Sequence, residues 1–216
     1  MAISVELKQA RRDHILDTAR KLIGRRDVSG FSMAELAEHA GVSPATPYNL
    51  VGSKPEILNA LIRFEVKDFA SSLEARQIPA NLDGLFAAID LVCERYSGQL
   101  NFYRGLFRLL QQEDMTTSRH RLEFGAAGVW RGFMKGAIEA GDLDPECETG
   151  PLVSALMRSL AINTLVWSVE GSPIAVFRAE LQFSVRTLVA YAVTPHRREE
   201  VARQIRDLSR FLAGSR

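Results

Sequence analysis

The chain has few of the residues that mark covalent, redox or metal chemistry. Its only two cysteines, Cys93 and Cys147, lie far apart and form neither a metal-binding nor a redox pair. We identify no Ser-His-Asp set, no phosphate-binding glycine loop and no carboxylate in an apolar pocket from the sequence. We therefore expect no metal, no other cofactor and no catalytic residue, which makes an enzyme the weakest of the function classes considered.

The sequence also lacks a long uninterrupted apolar run. The longest apolar region, 152–169, contains Arg158 and Asn163, whereas a membrane helix needs about 20 nearly unbroken apolar residues. This region is predicted to be a buried or interfacial helix. The N-terminal segment is charged and amphipathic and does not resemble a signal peptide. Together with the sparse cysteines, these features predict a cytoplasmic protein without a membrane partner.

Excess charge of one sign is missing as well. The 27 basic and 26 acidic residues leave a net charge of +1. The chain as a whole therefore has no electrostatic signature of a nucleic-acid binder, and any such function must rest on a local patch. With 46% hydrophobic and 25% charged residues, the composition is that of an ordinary soluble globular protein.

Helical periodicity runs through almost the whole sequence, and strand-like alternation is not found. The breaks between periodic segments carry Gly, Pro or Asp, as helix ends do. We predict an all-α protein with a three-helix N-terminal domain, residues 1–54, and a larger helical bundle, residues 55–216.

The segment 32–50 carries the most specific pattern, a helix, a tight turn and a second helix. Ser32 is predicted to cap the first helix, with Glu35 completing a capping box. Gly41 lies at the turn, where a left-handed backbone favours a residue without Cβ. Ser43 is predicted to cap the second helix and Pro44 to occupy its first position. This spacing is typical of a helix-turn-helix.

Pro47, in the second helix, is predicted to point into the small core, which leaves a small and polar outer face. On that face an Asn can pair with adenine and an Ala methyl can contact a thymine methyl. Hydroxyls, the lysine at the next helix and the N-terminus of the first helix can contact phosphates. The predicted DNA-binding residues are Ser32, Ser43, Ala45, Thr46, Tyr48, Asn49 and Lys54.

The segment FSMAELAEHAGVSPATPYNLVGSKPEIL resembles the DNA-binding domain of TetR-family transcriptional regulators. It keeps the family's Gly-Val-Ser, Thr, aromatic and Ser-Lys pattern, and the resemblance covers about a quarter of the chain, from Arg12 to about Ala60. The departures are Pro47 in place of Leu or Ile, Val51 in place of Phe, and Pro55 before the acidic residue. The resemblance implies a repressor that leaves a palindromic double-stranded DNA operator when a small ligand binds. The alternative is a TetR-like protein that no longer binds DNA and acts through a protein partner.

The larger bundle is rich in aromatic and sulfur side chains, which favours a small apolar ligand held by few polar groups. Each of these residues alone is more typical of a core, and a pocket filled by its own side chains is the alternative. The resemblance places the ligand site of TetR-like proteins in this region. The candidate ligand-binding residues are Cys93, Tyr96, Phe102, Tyr103, Phe107, Trp130, Met134, Asn163 and Trp167.

The last expectation is a homodimer. The segments 152–169 and 174–192 are apolar over more of their circumference than a surface helix needs. Packed against their symmetry mates they would form a four-helix interface, as the resemblance also implies; the alternative is that both faces are internal core. The predicted interface residues are Leu152, Leu156, Ser159, Phe177, Leu181, Ser184 and Leu188.

Overall fold

The computed structural model describes residues 5–25, 30–112 and 115–215, and it describes no side chain of residues 112–125. The described chain is helical apart from turns and one isolated antiparallel bridge between Leu143 and Val193. The predicted all-α class is therefore confirmed. The helices are α1 (Val5–Ile23), α2 (Met33–His39), α3 (Ala45–Leu50), α4 (Lys54–Ala75), α5 (Leu82–Gly98), α6 (Leu100–Gln112), α7 (Met115–Glu139), α8 (Thr149–Glu170), α9 (Ile174–Val189) and α10 (Pro195–Gly214).

The helices group into two compact units. Unit 1 comprises Met1–Lys67 with Gln99–Leu122, and unit 2 comprises Asp68–Gly98 with Glu123–Arg216. The helix α6 thus joins the N-terminal unit, and α4 contributes to both. The boundaries of these units differ from the predicted division into residues 1–54 and 55–216. That division stays a prediction about which part of the chain binds DNA and which part binds a ligand and dimerises.

Unit 1 is built around α1, which packs against α2, α3 and α6. Its buried stripe, Ile15, Ala19, Leu22 and Ile23, is at most 1% exposed. The spacing of i, i+4 and i+7 brings these side chains to one face of a helix. The same face meets Leu36 and Ala37 of α2 in the small core, so that α1 is the support on which the two short helices lie.

Unit 2 has α9 at its centre, in contact with α5, α8 and α10. Phe177, Leu181, Val185 and Val189 of α9 are fully buried and repeat every four residues. A helix surrounded on several sides has to bury more than one face, which explains why α9 is apolar over so much of its circumference.

By length and composition α8 is apolar enough to cross a membrane, and 33% of its apolar window is buried inside the chain. Its buried side chains include Leu152, Leu156 and Trp167, which lie in the core of unit 2. A partly buried core helix of a soluble protein has the same composition, because one face packs on its neighbours while the other stays open.

Candidate nucleic-acid interface

The first helix of the motif begins as the sequence predicts. Ser32 is the N-cap of α2, with φ −91° and ψ 156°, and its Oγ accepts a hydrogen bond from the Glu35 amide at 3.1 Å. This satisfies one of the unpaired amides at the helix N-terminus. The Glu35 carboxylate lies 3.8 Å from Nη1 of Arg25. The Ser32 cap is confirmed.

The turn between the helices depends on Gly41, which has φ +63°. This is the left-handed conformation that glycine adopts at low cost. Its amide donates to the Glu38 carbonyl at 3.0 Å, and the Val42 amide donates to the Ala37 carbonyl at 3.0 Å. These bonds close the end of α2 and redirect the chain, so that α3 begins after only a few residues.

The second helix differs in its first residues from the prediction. Pro44, rather than Ser43, is the N-cap of α3, and no side chain caps the helix. The Ser43 Oγ instead lies 2.8 Å from the Thr46 Oγ1, so the two hydroxyls bond to each other. The prediction that Ser43 caps α3 is therefore wrong, because its hydroxyl partner is another side chain. Pro47 is the third helical residue, where the missing amide would have had no intrahelical acceptor.

The faces of α3 are oriented as the 100° rotation per residue predicts. Pro47 is buried, whereas Ala45, Tyr48 and Asn49 are exposed and Thr46 is half-buried. Tyr48 keeps 54% of its surface exposed. The α3 outer face, defined as Ala45, Thr46, Tyr48 and Asn49, is small, polar and open to a partner.

The next helix begins beside this face with a second capping arrangement. The Glu56 Oε2 accepts from both the amide and the hydroxyl of Ser53, at 2.7 and 2.9 Å. Gly52, at φ +120°, leaves room for that carboxylate, since a Cβ there would lie 2.3 Å from Oε2. Lys54 opens α4 and holds its Nζ 5.5 Å from the centre of the Phe31 ring, a cation–π contact.

Two contacts from α1 to the short helices were not predicted from the sequence. Nη1 of Arg12 donates to the carbonyl oxygen of Leu50 at 2.8 Å, and Nε2 of His14 lies 3.2 Å from the carbonyl oxygen of Ala40. Leu50 ends α3 and Ala40 is the C-cap of α2. The sequence separations of 38 and 26 residues explain why no local pattern indicated them.

The predicted ligand-binding residues are divided between the two units. Phe102, Tyr103 and Phe107 lie on α6 and belong to unit 1, where Tyr103 contacts both of the other rings. Within unit 1, α6 packs on α1, and the part of these three residues in a ligand site stays a prediction.

The remaining candidate ligand-binding residues lie in unit 2, where the aromatic ones belong to two ring clusters. Tyr96, Trp167 and Phe177 form one stack, with Trp167 and Phe177 4.7 Å apart between ring centres. Trp130 contacts Phe69 and Phe133 in the other. Met134 is fully buried. Nδ2 of Asn163 donates to the Ser159 carbonyl at 2.7 Å.

Cys93 is fully buried in unit 2. Burial raises the pKa of its thiol from 9.0 to about 12, because the thiolate loses its hydration inside the core, and nearby Arg178 opposes this only in part. The side chain is therefore a neutral, apolar group at physiological pH.

The predicted interface residues divide between core and surface. Leu152, Leu156, Phe177 and Leu181 are 0–3% exposed within one protomer, so they have no surface to offer a second copy, and their assignment to an interface is corrected. Ser159, Ser184 and Leu188 are half-buried. The open stripe of α8 is formed instead by Ile162, Val166 and Val169, which are 55%, 40% and 61% exposed.

Residues 15–61 match the family model described as bacterial regulatory proteins, tetR family. The match covers both helices of the motif, the Gly41 turn and the first residues of α4. This segment of the chain therefore matches the DNA-binding domain of the TetR family. The matched segment is the helix-turn-helix that the structure builds on α1, α2 and α3.

A relative with a similar sequence is the HTH-type transcriptional regulator BetI of Brucella canis, which is 28% identical over 108 residues. The alignment covers 46% of this chain and 54% of BetI, so the chain spans about half the length of the curated relatives it matches.

Solved structures extend the likeness to the remaining helices. RolR in complex with resorcinol has a TM-score of 0.67 at 16% identity, over 92% of this chain and 96% of that one. FadR of Thermus thermophilus, a TetR-family repressor in complex with lauroyl-CoA, has a TM-score of 0.60 at 20% identity, over 85% and 95%. At these identities the likeness shows a shared TetR fold for both units.

Proposed function

We propose that this protein is a TetR-family repressor that binds a pseudo-palindromic operator as a homodimer and leaves it when a small, mainly apolar ligand binds. The observation that carries the proposal is the α3 outer face. Its exposed Ala45, Tyr48 and Asn49 stand opposite the buried Pro47, so the helix is fixed on one side and free on the other. A helix of this kind inserts into the major groove in helix-turn-helix proteins.

Each side chain on that face has a chemical role in the proposal. Asn49 can make two hydrogen bonds to adenine, and the Ala45 methyl can contact thymine. The hydroxyls of Thr46 and Tyr48 contact phosphate oxygens and fix the register of the helix. Lys54 adds a positive charge at the start of α4, in reach of the same strand.

Ser32 contributes a phosphate contact from the other end of the motif. Its Oγ accepts from the Glu35 amide, and a hydroxyl that accepts a hydrogen bond can still donate one. The amides at the N-terminus of α2 favour an anion at this position.

The dimer is proposed to form through the open side of α8. Ile162, Val166 and Val169 follow one another at i, i+4 and i+7 and are 55%, 40% and 61% exposed. Apolar side chains at this spacing form a continuous stripe, which a symmetry-related α8 would cover. The half-buried Ser159 and Ser184 flank the stripe with small groups that permit close helix packing.

The ligand is proposed to act on unit 2, beside the stack of Tyr96, Trp167 and Phe177. Stacked rings offer an apolar surface to a flat or long apolar molecule, and the half-buried Asn163 supplies one polar group. The complexes of RolR with resorcinol and of FadR with lauroyl-CoA support a ligand of this general character. A tenfold derepression needs a difference of about 1.4 kcal/mol between the ligand's affinities for the two states.

The decisive experiment for DNA reading is a selection from a random double-stranded library with the purified protein. We expect an enriched motif with two half-sites in inverted repeat, each read by one α3. Recovery of no motif above the background of the library would contradict DNA reading.

The ligand is tested separately, with the operator from that selection. A panel of phenols, fatty acids and acyl-CoA esters is added to the complex, and operator affinity is measured by fluorescence anisotropy. At least one class should lower the affinity tenfold or more. Substitution of Asn163 by Leu should change the ranking of the panel and leave the operator affinity without ligand unchanged.

A further inference from the structure

The geometry points to Arg12 and His14 as positioning residues that hold the two helices of the motif in their reading orientation. Arg12 donates to the carbonyl of Leu50, the last residue of α3, and His14 bonds the carbonyl of Ala40, the C-cap of α2. Each side chain contacts the backbone at the C-terminal end of one helix. The inference rests on the proposed reading of DNA by α3.

The two side chains reach different helices because of their places on α1. At 100° per residue, Arg12 lies about 60° to one side of the fully buried Ile15 and His14 about 100° to the other side. The stripe that includes Ile15 packs into the core of unit 1, so the flanking side chains meet α3 on one side and α2 on the other. One rigid 19-residue helix thereby determines the positions of both short helices.

The helix α3 depends on such support more than most helices do. It has six residues and no side-chain cap at its N-terminus. A helix of this length is not stable by itself, and its last carbonyls have no intrahelical donors. The amides of Val51 and Gly52 both donate to the Pro47 carbonyl. The Leu50 carbonyl instead accepts a hydrogen bond from Arg12. A guanidinium at a helix C-terminus also lies at the negative end of the helix dipole.

A small rotation of α3 would matter for base reading more than for stability. Bidentate pairs with base edges require the side chain of Asn49 to lie within a narrow range of positions. Phosphate contacts made by long or hydroxylated side chains tolerate more displacement. The loss of the Arg12 bond should therefore reduce the discrimination between operator and unrelated DNA.

The test measures the ratio of affinities for operator and scrambled DNA, with the operator first obtained from the wild-type protein. Arg12→Gln removes the charged donor, and Arg12→Lys keeps the charge and one donor. Arg11→Gln is the matched control, because Arg11 is the exposed neighbouring arginine. We expect Arg12→Gln to lower the ratio about tenfold, as the loss of a charged hydrogen bond would. Arg12→Lys should recover part of the loss, and Arg11→Gln should leave the ratio unchanged.

His14→Ala should lower the ratio as well, and His14→Gln, which retains a donor, should lower it less. A wild-type protein that selects no operator contradicts the proposed function itself, before any variant is made. With an operator in hand, an unchanged ratio in Arg12→Gln overturns the positioning role. Equal losses of affinity for both DNAs with a smaller salt dependence would then assign Arg12 to a phosphate contact. A lower melting temperature without a change in the ratio would assign it to stability alone.

Discussion

The guanidinium of Arg20 on α1 pairs with the carboxylate of Glu65 on α4, and both side chains are mostly buried, at 20% and 11% exposure. Glu65 also accepts a hydrogen bond from the hydroxyl of Tyr103 on α6. Arg20 donates to Gln99 at 2.7 Å and lies over the ring of Phe102 at 4.2 Å. One ion pair thus joins three helices of unit 1, which explains why α6 groups with the N-terminal helices.

Replacing Glu65 by Ala should lower the free energy of unfolding by about 2 kcal/mol, because Arg20 and Tyr103 would lose a shared buried acceptor. Urea unfolding followed by circular dichroism measures the change. Glu94→Ala is the matched control, since Glu94 pairs with Arg76 at the surface, with 46% and 53% of the side chains exposed. That pair should contribute less than about 1 kcal/mol. Equal losses in the two variants would contradict the central position given to Glu65.

Asn49→Ala should weaken binding to the operator by about 2 kcal/mol, because it removes the contact with one base pair of each half-site. Operators that are already substituted at that base pair should bind the variant as tightly as they bind the wild type. The measurement is a set of operators in which each base pair is substituted in turn. Asn101→Ala, at an exposed position on α6, serves as the control and should bind every operator as the wild type does. A uniform loss over all operators would mean that Asn49 contacts the backbone of the DNA.

Ile162→Asp should convert the protein from dimer to monomer at micromolar concentration, because a charge in the α8 stripe would be buried without a partner in the dimer. Analytical ultracentrifugation reports the mass directly. Phe211→Asp is the control, since Phe211 is a similarly exposed apolar residue, at 47%, on α10. A wild-type protein that sediments as a monomer would rule out the interface altogether.

The buried thiol of Cys93 predicts a dependence of stability on alkaline pH. Its pKa is raised from 9.0 to about 12 in the folded state, so the unfolded chain loses this proton first. The stabilising contribution is therefore complete below pH 9 and decreases as the pH rises toward 12. The free energy of unfolding should fall more steeply over this range for the wild type than for Cys93→Ala. Parallel curves would indicate that Cys93 is accessible to water in the folded protein.

The local signals of the helix-turn-helix were readable without the structure. Ser32, Gly41 and Pro47 each act on the backbone within a few residues, by capping α2, by permitting φ +63° and by fixing one side of α3. Such effects depend on the chemistry of one residue and its neighbours, so the sequence determines them. The same local signals carried the resemblance to the TetR family. Only the beginning of α3 was misjudged, where two hydroxyls bonded to each other instead of to the backbone.

Which faces of the unit 2 helices are buried is decided by tertiary structure alone. The helix α8 is apolar nearly all round, so periodicity could not tell the buried Leu152 and Leu156 from the exposed Ile162 and Val166. Which side meets α9 depends on the packing of several helices at once. The contact of Arg12 with Leu50, across 38 residues, is of the same kind. A sequence specifies such pairs only through the complete fold, because the two residues become neighbours only after the helices between them have packed.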